Sequence, residues 1–203
     1  MKNFVWGQTG EKNDESTGAG NGGNNTEIVV NDNNIYFYQD VMPDTILNLK
    51  RNIISVNNNF KKLQNQFGSG LDLRIKLHIQ SNGGDIVSGL NILDFIKSNE
   101  FKIDTYVEGM SASAGTLLSM AGDKRYITKN SYLLLHQIRG MFWGKHSDMT
   151  DQVYNWDSFI NKILDFYVDN SKLNREMLEN ILKDEKYIDA NLALEYGLVD
   201  KII

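Results

Sequence analysis

Gly109-Met110-Ser111-Ala112-Ser113-Ala114-Gly115 is the stretch whose reading decides the fold, taken together with Ser81-Asn82-Gly83-Gly84 before it and Leu133-Leu134-Leu135-His136 after it. A run of mostly small residues around a serine, closed by glycine and followed by the apolar-rich Thr116-Leu117-Leu118-Ser119-Met120-Ala121, is how a strand turns sharply into a buried helix. Such a turn holds a serine hydroxyl up in a cleft. Close strand-to-helix packing alone also produces turns of this composition, so one of them does not make an active site.

Working outward, strands and helices alternate. Towards the N-terminus, Glu27-Ile28-Val29-Val30 and Ile35-Tyr36-Phe37-Tyr38 read as strands around an Asn/Asp turn. A helix over 45–66 follows, with Pro43 before it and Asp44 as its expected cap. Leu73 to Ile79 alternates as a strand into the double glycine, which opens a helix over 85–98, and Ile103 to Val107 is the strand leading to the serine turn. Beyond the turn, 125–128 and 131–136 read as short strands. This alternation predicts parallel strands joined by right-handed crossovers, with the loops after the strand ends gathered at one edge, where ligands bind. Both glycine turns and His136 belong to that edge.

The second half is different. Ile138 to Gly144 is an aromatic, glycine-bounded, hairpin-like segment, and 147–170 is a long amphipathic helix rich in bulky apolar residues, suited either to another subunit or to its own core. A short helix over 174–182, a helix over 190–196 stopped by Gly197, and a last strand over 198–203 complete the reading. Residues 1–26 are rich in Gly, Asn and acids and read as a flexible tail carrying one apolar cluster, Phe4-Val5-Trp6; residues 27–203 read as a single domain.

Composition narrows the function classes. The chain has 203 residues, a formal net charge of -5 and no cysteine. No basic cluster is longer than Lys61-Lys62, which argues against nucleic acid and anionic membranes as partners. Without cysteine there are no disulfides and no thiolate metal sites, as suits the reducing cytoplasm where we expect the protein to act. No apolar run approaches the roughly 20 residues that cross a bilayer.

A nucleophilic serine needs a base within hydrogen-bond reach, an acid to orient that base, and N–H donors aimed at the developing oxyanion. Only three histidines exist, His78, His136 and His146, and His136 alone ends an apolar strand at the loop edge. Gly84 and Ala114 stand where two helices begin, so their backbone amides are candidates for the donors.

The ordered set of motifs resembles the proteolytic subunit of the Clp protease family. Ser81-Asn82-Gly83-Gly84 stands where the family has Ser-Pro-Gly-Gly, Gly109 to Gly115 is similar to its Gly-x-Ala-Ala-Ser-Met-Gly, and Leu135-His136-Gln137 to its Ile-His-Gln-Pro. Ala193-Leu194-Glu195-Tyr196-Gly197-Leu198-Val199-Asp200 nearly repeats the family's C-terminal motif. The resemblance implies an α/β fold of the ClpP/crotonase type, a spiral of repeated ββα units with a projecting strand-helix handle at about 137–170. It implies a serine endopeptidase with Ser113 as nucleophile, His136 as general base and acid, and the Gly84 and Ala114 amides as oxyanion hole; Ser111 comes too early. The third member falls on Glu185 by register, with Asp184 immediately before it as the alternative. No metal or bound cofactor is implied. The implied partners are unfolded polypeptides, further copies in stacked homo-oligomeric rings, and an ATP-driven AAA+ unfoldase.

Three departures keep other readings open. Asn82 and Ile138 replace family prolines, and the strand before the double glycine, tyrosine-rich in many members where it helps form the unfoldase dock, reads Lys76-Leu77-His78. A processing protease that needs no unfoldase, for example of phage assembly proteins, is therefore the second reading, and a non-catalytic ring subunit the third. An acyl-CoA enzyme of the crotonase type, which does not need the Ser113 and His136 pair, is the remaining one.

Overall fold

The computed structural model describes residues 27–139 and 143–203; the expected tail at 1–26 and the centre of the aromatic segment, 140–142, lie outside the described residues. Two short strands, β1 (Val29–Asn31) and β2 (Asn34–Phe37), form an antiparallel hairpin whose second strand pairs in parallel with β3 (Arg74–Ser81). Between them runs helix α1 (Pro43–Phe67). Its buried residues Ile46, Leu49, Ile53, Val56 and Phe60 recur at three- and four-residue steps, which places them on one face. The expected cap at Asp44 is corrected: Met42 is the N-cap and Pro43 occupies the first turn, where its missing N–H costs nothing. Thr45 closes the cap by accepting from the Met42 N–H at 3.0 Å.

After β3 come α2 (Ile86–Lys97) and β4 (Lys102–Ala112), then α3 (Ala114–Met120). Asp85 caps α2 by accepting from the Ser88 N–H at 2.7 Å. In β3 the residues Ile75, Leu77, Ile79 and Ser81 are buried, while Lys76 and Gln80 on the other face are exposed. The period of two means that the helices cover one face of the sheet here. β4 is longer than the sequence reading expected and runs on to Ala112, because its two halves bond different partners. Thr105–Val107 pairs with β5 (Arg125–Ile127), and Met110–Ala112 pairs with β6 (Tyr132–Leu134), both in parallel.

The chain continues into α4 (His146–Asn170), α5 (Arg175–Asp184), β7 (Tyr187–Asp189), α6 (Ala190–Glu195) and β8 (Lys201–Ile202). β7 pairs antiparallel with β6, so the expected parallel order holds except where β1 joins β2 and β7 joins β6. β7 was not anticipated: three residues with a single buried side chain, Ile188, carry too short a pattern to read. β8 pairs with β5 and ends the sheet order β1-β2-β3-β4-β5-β8. The handle strand expected near 137–147 is absent among the described residues of that segment, whereas α4 is present in full. Only the C-terminal half of α4 is buried, through Ile163, Leu164 and Tyr167.

Candidate active site

Ser113 is the residue where β4 stops and α3 starts, and it sits at φ 57°, ψ -130°. A non-glycine residue there costs about 1–3 kcal/mol and persists only where its surroundings over-determine it. Two anchors do so. Its N–H donates to the Leu134 carbonyl at 2.8 Å, and its carbonyl accepts from the Thr116 N–H at 2.9 Å. The side chain is buried, and Oγ has no hydrogen-bond partner among the described residues. Ser111 Oγ is likewise unpartnered and fully buried, but it lies at the α3 contact, close to Gly115.

The double glycine packs directly against this serine. Gly83, at φ +98°, leaves room for nothing larger: a Cβ there would stand 2.5 Å from Ser113 Cβ and 2.9 Å from its Oγ. Gly84, at φ +144°, lies equally close to the Val41 backbone. Val41 donates its N–H to the Gly83 carbonyl and accepts from the Asp85 N–H, each at 2.7 Å, so this ladder passes over the Gly84 N–H. Ala114 is the first residue of α3, whose N–H has no carbonyl one turn earlier to bond. Both expected oxyanion amides thus come from turns that meet at Ser113.

His136 follows β6 by two residues, and the Ser113-to-Leu134 hydrogen bond brings that strand end beside the serine. The ring is 6% exposed. Its Nδ1 lies 2.7 Å from the Gln137 carbonyl, which only accepts, so Nδ1 carries the proton and Nε2 the lone pair in the neutral ring. Burial pushes the His136 pKa below its ordinary 6.5; the Gln137 carbonyl and Glu185 oppose that shift, and Arg139 reinforces it.

The candidate acid, Glu185, acts electrostatically on His136 and is itself ion-paired. Glu185 caps α5 in the left-handed region at φ 51° and forms an ion pair with Arg139. Asn82, His136, Arg139 and Glu185 line one cavity of about 320 Å³. Asp184 pairs with Lys186 at 2.9 Å. Gly83 and Ala114 therefore meet at Ser113, while His136 and Glu185 share a cavity with Ala112 and Leu134, the residue before Ser113 and its hydrogen-bond partner; Asp184 does not line it. Asp189 caps α6 by accepting from the Leu192 N–H. Arg139 was missed because one exposed arginine three residues beyond His136 has no motif. A second cavity, about 580 Å³, lies on another side of His136 between α4 and α5, with Ile138, Ile160, Leu164 and Leu182 in its walls.

Away from this edge, His78 is part of a ring stack across four strands. Tyr36 and His78 lie 4.4 Å apart, His78 and Tyr106 5.0 Å, and Tyr106 and Tyr126 4.6 Å, all near-parallel. Glu108 binds His78 Nδ1 at 2.7 Å and accepts from the Tyr38 hydroxyl. The aromatic surface that Lys76-Leu77-His78 appeared to lack is supplied by its neighbours in register.

A family model described as Clp protease matches residues 46–203. Among solved structures, a mutant of ClpP1 from Listeria monocytogenes is similar to this chain with a TM-score of 0.72 and 18% sequence identity, over 84% of this chain and 91% of that one.

Two outcomes are expected of the site. His136 titrates below 6.5 when followed by NMR in the full-length protein, because burial penalises its charged form; a midpoint above 6.5 contradicts this environment. Ser113→Ala, which removes a buried hydroxyl with no partner, raises folding stability by about 1 kcal/mol or leaves it unchanged in urea unfolding. A loss of that size instead would show the hydroxyl to be structural.

Proposed function

Because the chain belongs to the Clp protease family, we propose that this peptidase is a serine endopeptidase subunit that cleaves unfolded polypeptides by acyl-enzyme chemistry inside a homo-oligomeric ring chamber. Ser113 Oγ attacks the scissile carbonyl while His136 Nε2 takes its proton. The Gly84 and Ala114 amides receive the oxyanion, and His136 returns the proton to the leaving amine. Water then repeats the sequence on the acyl-serine. Once Arg139 has let go of it, Glu185 takes the His136 Nδ1–H from the Gln137 carbonyl, orients the ring and balances its charge. The observation that carries this reading is the unpartnered Ser113 hydroxyl, held at positive φ between two glycine- or helix-derived amides and beside a neutral histidine.

The larger cavity beside His136 gives room for an apolar substrate side chain. Exposed Met149, Val153 and Tyr154 on the free half of α4 fit a contact between subunits, as the family's handle provides between rings. The stack of Tyr36, His78, Tyr106 and Tyr126 favours an ATP-driven unfoldase as partner over an unfoldase-independent protease, since it keeps an aromatic surface on the strand where the family docks one. The cysteine-free composition suits action in the cytoplasm.

The test is a fluorophosphonate probe on the assembled full-length protein. Labelling at Ser113, lost in Ser113→Ala, is expected; no labelling of a correctly sized assembly would reject the peptidase chemistry in favour of a non-catalytic subunit. In the same assay Glu185→Gln slows labelling about 10-fold or more, while Asp184→Asn leaves it unchanged. Arg139→Gln speeds it by up to about five-fold, the limit set by one half-exposed ion pair. A larger effect of Asp184→Asn than of Glu185→Gln would assign the acid to the other residue.

A further inference from the structure

Thr116 and Tyr167 form a buried polar connection that the catalytic constellation does not use. Thr116 lies in the first turn of α3 and Tyr167 on α4; they are 1% and 2% exposed. The Tyr167 hydroxyl is hydrogen-bonded to Thr116 Oγ1, and Thr116 Oγ1 lies 2.5 Å from the Ser113 carbonyl oxygen. The direction of this chain follows from the chemistry at its end. A carbonyl only accepts, so the single Thr116 hydroxyl proton points to Ser113. The Thr116 oxygen must then accept from Tyr167, which donates. Burial pushes the Tyr167 pKa well above its ordinary 10, so the proton that it donates stays in place.

The Ser113 carbonyl thereby receives two bonds from Thr116, one from its N–H and one from its hydroxyl, and the second is itself held from α4. The N–H of Ser113 is tied to β6 on the other side. Both peptide groups flanking the nucleophile are fixed, one by the sheet and one by the long helix. The sequence hides this: Thr116 is a single polar residue before Leu117-Leu118, and Tyr167 belongs to the apolar stripe of α4 with Ile163 and Leu164.

We propose that Tyr167 is a positioning residue for the nucleophile, acting through Thr116 on the Ser113 carbonyl, so that the seating of α4 sets the attack geometry of Ser113. The proposal rests on the peptidase reading for its effect on rate, but the relay itself has a separate readout. α4 is the element whose other half is exposed and fits subunit contact, so the relay joins that surface to the Ser113 backbone through one helix and two side chains. Cooperative hydrogen-bond chains of this kind fix orientation when every member is satisfied, as here.

Tyr167→Phe keeps the ring and removes only the hydroxyl; Thr116→Val removes the relay's centre; Thr116→Ser keeps it. In the assembled full-length protein, the limiting rate of fluorophosphonate labelling is expected to fall about 10- to 100-fold in Tyr167→Phe and Thr116→Val, with the half-saturating probe concentration unchanged. The double variant should fall no further than Thr116→Val alone, and Thr116→Ser should stay near wild type. Amide hydrogen exchange over 113–116 should quicken in the first two variants and not in Thr116→Ser. Wild-type labelling rates in both Tyr167→Phe and Thr116→Val would overturn the proposal and leave the peptidase reading standing. No labelling even in the wild type, with exchange quickened in those two variants, would sink the peptidase reading and leave the relay. Unchanged exchange without labelling would sink both.

Discussion

The backbone of Ser113 is the constraint on which the other parts of the site depend. An L-residue does not rest at φ 57° and ψ -130° by preference, so its surroundings must hold it there. They do so by hydrogen bonds from both of its peptide groups and by steric exclusion from Gly83, whose missing Cβ is the space that Ser113 occupies. β4 can deliver the serine to this point because its second half leaves β5 for β6, and β6 then carries His136 in behind it. Ser113 is thus tied to the strand end that carries His136 by the backbone hydrogen bond from its N–H to the Leu134 carbonyl.

The electrostatics of the site are arranged around a neutral histidine. Burial disfavours its charged form, and Arg139 on the same loop acts in the same direction. Glu185, which shares the smaller cavity with His136, forms its ion pair with Arg139. That ion pair is about half exposed on both sides, the kind of contact that contributes at most about 1 kcal/mol and yields readily to a competing partner. The candidate acid is therefore held by a weak contact at the rim, whereas the candidate nucleophile is held by backbone hydrogen bonds in the interior.

Legibility in the sequence followed the strength of the local pattern. The Ser113 turn, the double glycine and the apolar run into His136 each carry a residue type that has few other uses, so their places could be read before any coordinates. Alternation in Leu73 to Ile79 and the three-and-four spacing in α1 gave strand and helix for the same reason. Harder cases were those in which tertiary partners decide. The extension of β4 to Ala112 comes from a second strand bonding its far half, and β7 exists only because β6 lies beside it. At Met42 the cap was taken by a residue with no capping side chain, because Thr45 reached back to its N–H. His78 looked like a loss of aromatic surface on its own strand; the two tyrosines that flank it stand on β2 and β4 and a third continues the stack on β5, in registers that no linear reading shows.

The pairing of β5 with β8 has a consequence for how the protein comes into being. Tyr126 and Ile127 bond Lys201 and Ile202, and Asp200 binds Arg125 at 2.6 Å from the same segment, so the edge of the sheet is closed by the last of the eight strands in chain order. A ribosome that has already released Ser113 and His136 has yet to make Glu185 and that closing strand. Contacts so distant along the chain form late and slowly. On the proposed mechanism, a chain synthesised only as far as His136 carries the candidate nucleophile and base but lacks both the candidate acid, Glu185, and the strand that closes β5.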